Sequence, residues 1–246
     1  MKKLLFTLTL LSSLAFSSDK AYVGGGPYSY SNAYEGDSAK TMAVPFILFN
    51  NGLVYARWVE FGAYFLGDNS SDLKWGLAAC VEPNTYGYKT SDSTTLSGMS
   101  DRDNSWSGGV SVNLKYEESY LVLNLMRDML GNSNGNYARV TAGKHMQVDK
   151  WSFDPQLLLM WRDDNFNNYY YGVKTGEATA TRTFYEASSG FEYGAQLYVM
   201  YDITDNWHTI FNARANLISQ EAQDSPIVNK NVTYSGTISL LYSFEY

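Results

Sequence analysis

The sequence predicts an all-β protein: a closed antiparallel transmembrane β-barrel of about twelve strands, with ten as the alternative. Three observations point there. Apolar and small polar residues alternate with period 2 in one segment after another, as strands with two unlike faces require. Several segments run to ten to fourteen residues, whereas soluble strands average about five or six and membrane strands need about nine to eleven. Large aromatics sit near the segment ends on the apolar face, where the interfacial belts of a membrane barrel lie. Composition agrees. Of 246 residues, 16% are aromatic and 17% charged, with mean hydropathy −0.29; an average soluble domain has about 25% charged residues.

The N-terminus reads as an export signal. Met1-Lys2-Lys3 is a basic start, Leu4 to Phe16 an apolar run too short to span a bilayer, and Ala15-Phe16-Ser17 a small-residue cleavage site. Cleavage is expected between Ser17 and Ser18, leaving 18–246 as the barrel. Beyond it no apolar run approaches the roughly 20 residues of a membrane helix.

Ala21–Tyr30 and Thr41–Phe49 read as strands, although Gly24-Gly25-Gly26 and Pro45 weaken both. Leu53–Phe65 loses its phase, because Arg57 and Glu60 would fall on opposite faces of an unbroken strand. A bulge or break near Trp58–Glu60 restores polar-inward for both. Leu73–Glu82, Trp106–Tyr116, Ser119–Asp128, Tyr137–Met146, Trp151–Arg162, Phe191–Asp202 and Asn206–Ser219 follow. The terminal strand alternates best: Val232, Tyr234, Ile238, Leu240, Tyr242, Phe244 and Tyr246 oppose Asn231, Thr233, Ser235, Thr237, Ser239 and Ser243. Eleven clear strands give odd parity, and bacterial single-chain barrels are even. Either the break near Trp58 or a separate strand at Phe166–Gly172 supplies the twelfth. Short turns (Gly67–Asp72, Tyr116–Ser119, Val148–Lys150, Thr204–Asn206) alternate with long stretches (Asn84–Ser105, Gly131–Asn136, Lys174–Ser189, Gln220–Asn231), as periplasmic turns alternate with outer loops.

Several segments resemble the MipA/OmpV family of Gram-negative outer-membrane proteins: Ala33-Tyr34-Glu35-Gly36-Asp37-Ser38 with Val44-Pro45, Tyr169-Tyr170-Tyr171-Gly172-Val173, Tyr201 with Thr204-Asp205-Asn206-Trp207, and Asp224-Ser225-Pro226-Ile227-Val228, before a terminal aromatic strand. The similarity runs from about Tyr22 to Tyr246. It implies an outer-membrane barrel and, for the MltA-interacting branch, a non-enzymatic scaffold that holds a murein lytic transglycosylase beside a bifunctional peptidoglycan synthase. A diffusion channel, an adhesin or an envelope-stress protein is the alternative. The resemblance carries over no catalytic residues. Gly36 and Pro226 suit loop turns, and Glu35 or Asp224 can cap loop backbone.

The charge of −7 and a pI near 4.8 argue against nucleic acid, whose phosphates need a basic face. One Cys and two His leave no metal site of the usual kinds, and no cofactor motif is present. His145 and His208 read as luminal polar groups and Cys80 as a small buried thiol. Alternation sends Lys74, Glu82, Lys115, Arg139, Asp154, Arg162, Glu192 and Arg214 inward, and Arg57 and Glu60 join that network if the break turns both inward. Asp202 and Glu245 fall on the same face. Mixed signs in a narrow barrel pair and block it, where an ion-selective pore favours one sign. That balance favours a scaffold. Expected partners are outer-membrane lipid, the barrel assembly machinery through Tyr242, Phe244 and Tyr246, and murein enzymes at the short turns and Ser18–Ala21.

Overall fold

In the computed structural model, residues 20–246 are described; the expected cleavage site at Ser17 and Ser18 lies outside them. The strands are β1 (Lys20–Tyr30), β2 (Lys40–Asn50), β3 (Val54–Arg57), β4 (Glu60–Asp68), β5 (Leu73–Asn84), β6 (Ser105–Tyr116), β7 (Ser119–Asp128), β8 (Asn136–Lys144, resuming after His145 as Met146–Val148), β9 (Trp151–Arg162), β10 (Gly190–Asp202), β11 (Trp207–Leu217) and β12 (Val232–Glu245). Each pairs antiparallel with its sequence neighbour, and β12 returns to β1, with Ala21 opposite Phe244 and Tyr30 opposite Ser235. The result is a closed twelve-stranded barrel. Pairing of β12 with β1 leaves neither end of the sheet as an open edge, which a bilayer forbids. At the seam, Gly24 and Gly26 let β1 approach β12: a Cβ on either would lie 1.9 Å from a β12 carbonyl oxygen.

The twelfth strand comes from the phase break. Arg57 and Glu60 face each other across a two-residue turn at Trp58–Val59, with Trp58 at φ 59°. The other expectation, a strand at Phe166–Gly172, is corrected: this segment forms α1 (Asp164–Tyr171). Asp163 starts it by accepting the Phe166 N–H at 2.9 Å, a helix N-cap. Phe166 and Tyr170, four residues apart, then bury one face.

The wall is inside-out. Leu157 is 69% exposed, Tyr234 62% and Ile238 59%, while Ser111, Asn113, Asn124 and Asn212 on the inner face are at most 1% exposed. Trp106, Tyr193 and Phe191 face outward at one end, and Tyr116, Trp151, Trp207 and Tyr242 at the other. β2 departs from this pattern. Its register with Tyr22, Gly24, Gly26 and Tyr28 turns Leu48, Phe46, Val44 and Met42 toward the interior.

The long loops close the outer end. Tyr34, Tyr88, Leu96, Phe166, Tyr170 and Ile227 form one buried cluster, and the Tyr34 hydroxyl donates to the carbonyls of Tyr86 and Tyr170, both at 3.1 Å. Arg102 reaches Glu177 at 2.9 Å with both side chains buried. The Tyr-Glu-Gly and Asp-Ser-Pro-Ile-Val segments meet here: Tyr34 bridges Val228, and the Glu35 N–H donates to the Ile227 carbonyl at 2.9 Å. The Ser225 hydroxyl donates to the Tyr171 carbonyl at 2.6 Å. These segments build the cap.

Candidate functional site: the barrel interior

The inner faces of β3 to β8 carry a charge network. Arg139 on β8 donates to both Glu82 carboxylate oxygens at 2.7 Å and to Glu60 at 2.9 Å. The Tyr137 hydroxyl donates to Glu82, the Tyr55 hydroxyl to Glu60 at 2.8 Å, and Asn124 to Glu60 at 3.2 Å. Arg57 donates to Asn113 and to the Tyr64 hydroxyl, each at 2.8 Å, and stands 3.9 Å from Glu60. Two cations and two carboxylates thus satisfy one another with tyrosine and asparagine filling the gaps, which buried charge requires. Higher up, Arg162 pairs with Glu192 and the Tyr86 hydroxyl and lies over the Tyr86 and Phe166 rings at 4.3 and 4.8 Å.

The other sequence-predicted residues stand apart from that network. Asp154 accepts from the Tyr120 hydroxyl at 2.5 Å. Arg214 donates through Nε to Asn216 at 2.9 Å. Lys74 and Lys115 face each other across β5 and β6, with no carboxylate partner among the described residues. Tyr242 and Phe244 are outward-facing on β12, and the Tyr246 hydroxyl donates to the Asn50 carbonyl at 2.8 Å.

At the periplasmic end, Asp202, His208 and Ser243 fall in line, with His208 Nδ1 2.6 Å from Asp202 and Nε2 2.9 Å from the Ser243 oxygen. The order is that of a hydrolase triad, but the surroundings differ. Ser243 is 0% exposed, its N–H donates to the Asn206 carbonyl at 2.8 Å, and the Asn206 side chain donates back to the Ser243 carbonyl at 3.1 Å. With Ser243 inaccessible and its N–H spent, the serine has no oxyanion donor of its own. The row fastens the β10–β11 turn to β12.

Between these clusters lies a cavity of about 710 Å³. Its apolar wall is Met42, Val44, Phe46 and Leu48 of β2, with Met200 and Ile210 packed in the same cluster as Phe46; Arg57, Arg139, Asp154, Arg162 and Arg214 also border it. Sequence reasoning missed the apolar inner wall and Trp58. The one available signal was the run Met42–Phe49, apolar on both faces where a barrel strand should alternate.

A family model described as MltA-interacting protein MipA matches residues 23–244. The chain is 24% identical to outer membrane protein YiaT of Escherichia coli K12 over 98% of its length and 96% of the relative's. It is 25% identical to the MltA-interacting protein of the same organism, over 95% of this chain and 94% of that one. A solved outer membrane channel from Pseudomonas putida F1 is similar at a TM-score of 0.48 and 9% identity, covering 93% of this chain and 96% of that one. A match across nearly the whole barrel makes this chain an outer-membrane β-barrel that belongs to the MltA-interacting protein MipA family.

Proposed function

We propose that the protein is a non-enzymatic outer-membrane platform that holds a murein lytic transglycosylase, and with it a bifunctional peptidoglycan synthase, against its periplasmic rim. The observation that carries this reading is obstruction: the loop cluster closes the outer end and the Arg139 network ties together the inner faces of β3 to β8, which suits a barrel that presents a surface better than one that conducts. The name of the MltA-interacting relative supports the choice of partner. A murein enzyme reaches only the periplasmic turns: residues 51–53, 69–72, 117–118, 149–150 and 203–206. Each is small, and a specific interface buries about 800 Å² per partner, so docking uses several turns together.

Crosslinking in intact cells tests the reading. Replacing two or three turns together should abolish capture of the transglycosylase while heat-modifiable migration, the mark of a folded barrel, stays normal. Single replacements should cost little. Loss of capture on changing Asp224–Val228 in the outer cap, with the barrel still folded, would contradict it. So would a large, stable conductance in planar bilayers, which would favour a diffusion channel.

A further inference from the structure

The β3–β4 hairpin stops short of the outer rim. β3 pairs with β2 only from Leu48 to Asn50, and β4 reaches no higher on β5 than Val81. Above the Trp58–Val59 turn, no backbone hydrogen bond joins 40–46 of β2 to 82–84 of β5 among the described residues. The Lys40–Asp92 ion pair, at 2.7 Å, crosses higher up. The wall therefore has a gap, bounded below by a turn and above by a loop.

The two lips carry Pro45 and Pro83, and both aim their missing N–H into the gap. The Ile47 and Pro45 carbonyls accept from the Trp58 backbone and indole N–H at 2.8 and 3.2 Å, so these residues turn their polar groups away from β1. Trp106, opposite Pro83, gives its carbonyl to Met129 on the far side of β6, so Pro83 turns its own away from β6. Proline within a sheet belongs at an edge. The sequence leaves both lips without a strand to pair.

We propose that this gap is a lateral window through which a small apolar molecule bearing one acidic group enters the interior from the outer leaflet, with Arg214 receiving the acid. Both lips border the cavity, through Met42, Val44 and Phe46 on one side and Glu82, Pro83 and Asn84 on the other. The window sits beside the outer aromatic belt, since Pro83 pairs with the outward-facing Trp106. The sealed cap leaves the side as the route from the outer leaflet. Trp58 forms the sill, stacked on Phe46 with ring centres 5.3 Å apart and edge-on to Tyr28 at 5.1 Å.

The charges balance in number, but their pairing leaves one arginine open to an acid. Arg57 and Arg139 are matched by Glu60 and Glu82, and Arg162 by Glu192. Asp154, the remaining cavity carboxylate, is held by Tyr120. Among the described residues Arg214 has no ion-pair partner, and its only hydrogen bond runs from Nε to Asn216, leaving both terminal nitrogens to donate. A guanidinium offering parallel N–H groups fits a carboxylate.

The test is photo-crosslinking of the folded full chain in nanodiscs with a diazirine-tailed stearic acid and with its methyl ester, mapped by mass spectrometry. The expected result is saturable labelling of Met42, Val44, Phe46, Leu48 and Trp58, competed by unlabelled stearate. Arg214→Gln should raise the half-saturating acid concentration about tenfold and leave the ester unchanged. In a Cys80→Ser background, the thiol of Val44→Cys, alkylated after folding with a bulky maleimide, should block interior labelling while outward Ile238 and Leu240 still label. Labelling confined to outward residues, an Arg214→Gln curve that matches the native one, a thiol the maleimide cannot reach, or interior labelling that survives alkylation would each overturn the proposal.

Discussion

Arg139 binds two carboxylates from two other strands, Glu60 and Glu82, so its loss strands two buried charges at once. Breaking a buried pair by removing one partner costs about 3–5 kcal/mol. Arg139→Gln should therefore markedly lower the temperature at which the folded band converts to the unfolded one in detergent gels. Glu177 makes the corresponding case in the cap. Burial alone would raise its carboxyl, but hydrogen bonds from Arg102, Lys174 and Ser100 hold it at about 2, below the ordinary 4.5. A depressed folded value stabilises the cap fully above about 4.5, and that contribution fades as pH falls toward 2. Hydrogen exchange of residues 95–104 and 174–182 should quicken across that interval in the native chain, and Glu177→Gln should remove most of the change. Alternation in the sequence points Glu82 and Arg139 inward, and a break near Trp58 does the same for Arg57 and Glu60; which carboxylate each arginine reaches depends on barrel stagger, which no single strand encodes.

At the scale of elements, β12 is the seam strand and the part most legible in the sequence, because its two faces contrast at nearly every position. Deleting Phe244–Tyr246 removes the residues opposite Lys20 and Ala21 together with the Tyr246 bond to Asn50. Assembled barrel in the outer membrane should fall sharply, as surface labelling would read. The phase loss over Leu53–Phe65 was equally legible and marks the β3–β4 turn. Two readings failed for physical reasons. Phe166–Gly172 is too short and too evenly aromatic for periodicity to separate strand from helix, and Asp163 decides it as a cap. The run Met42–Phe49 is apolar at every position, so period 2 has no contrast there and the inward wall of β2 stayed hidden.

For the whole molecule, the closed outer end and the charge network inside predict low conductance in planar bilayers, with only brief openings. Weakening the cap should raise it: Arg102→Ala leaves Glu177 without its guanidinium and frees the loop that Arg102 ties to the Tyr169 carbonyl at 2.7 Å. Longer or more frequent openings in this variant, with normal heat-modifiable migration, would locate the obstruction in the loops.

The shortened hairpin also bears on the membrane around the protein. Backbone carbonyls on the lips of the gap, at Thr41, Ala43 and Pro83, have no strand opposite them on that side, and in hydrocarbon an unsatisfied backbone group costs several kcal/mol. Lipid tails cannot meet that demand, but head groups and water can. Beside β2 and β5 the outer leaflet must dip to bring them down, so the bilayer is thinner along this flank than beside β9, where the ladders on both sides are continuous from Gln156 to Arg162. The barrel thus imposes a lopsided profile on its own bilayer, with the depression at one compass point of the rim.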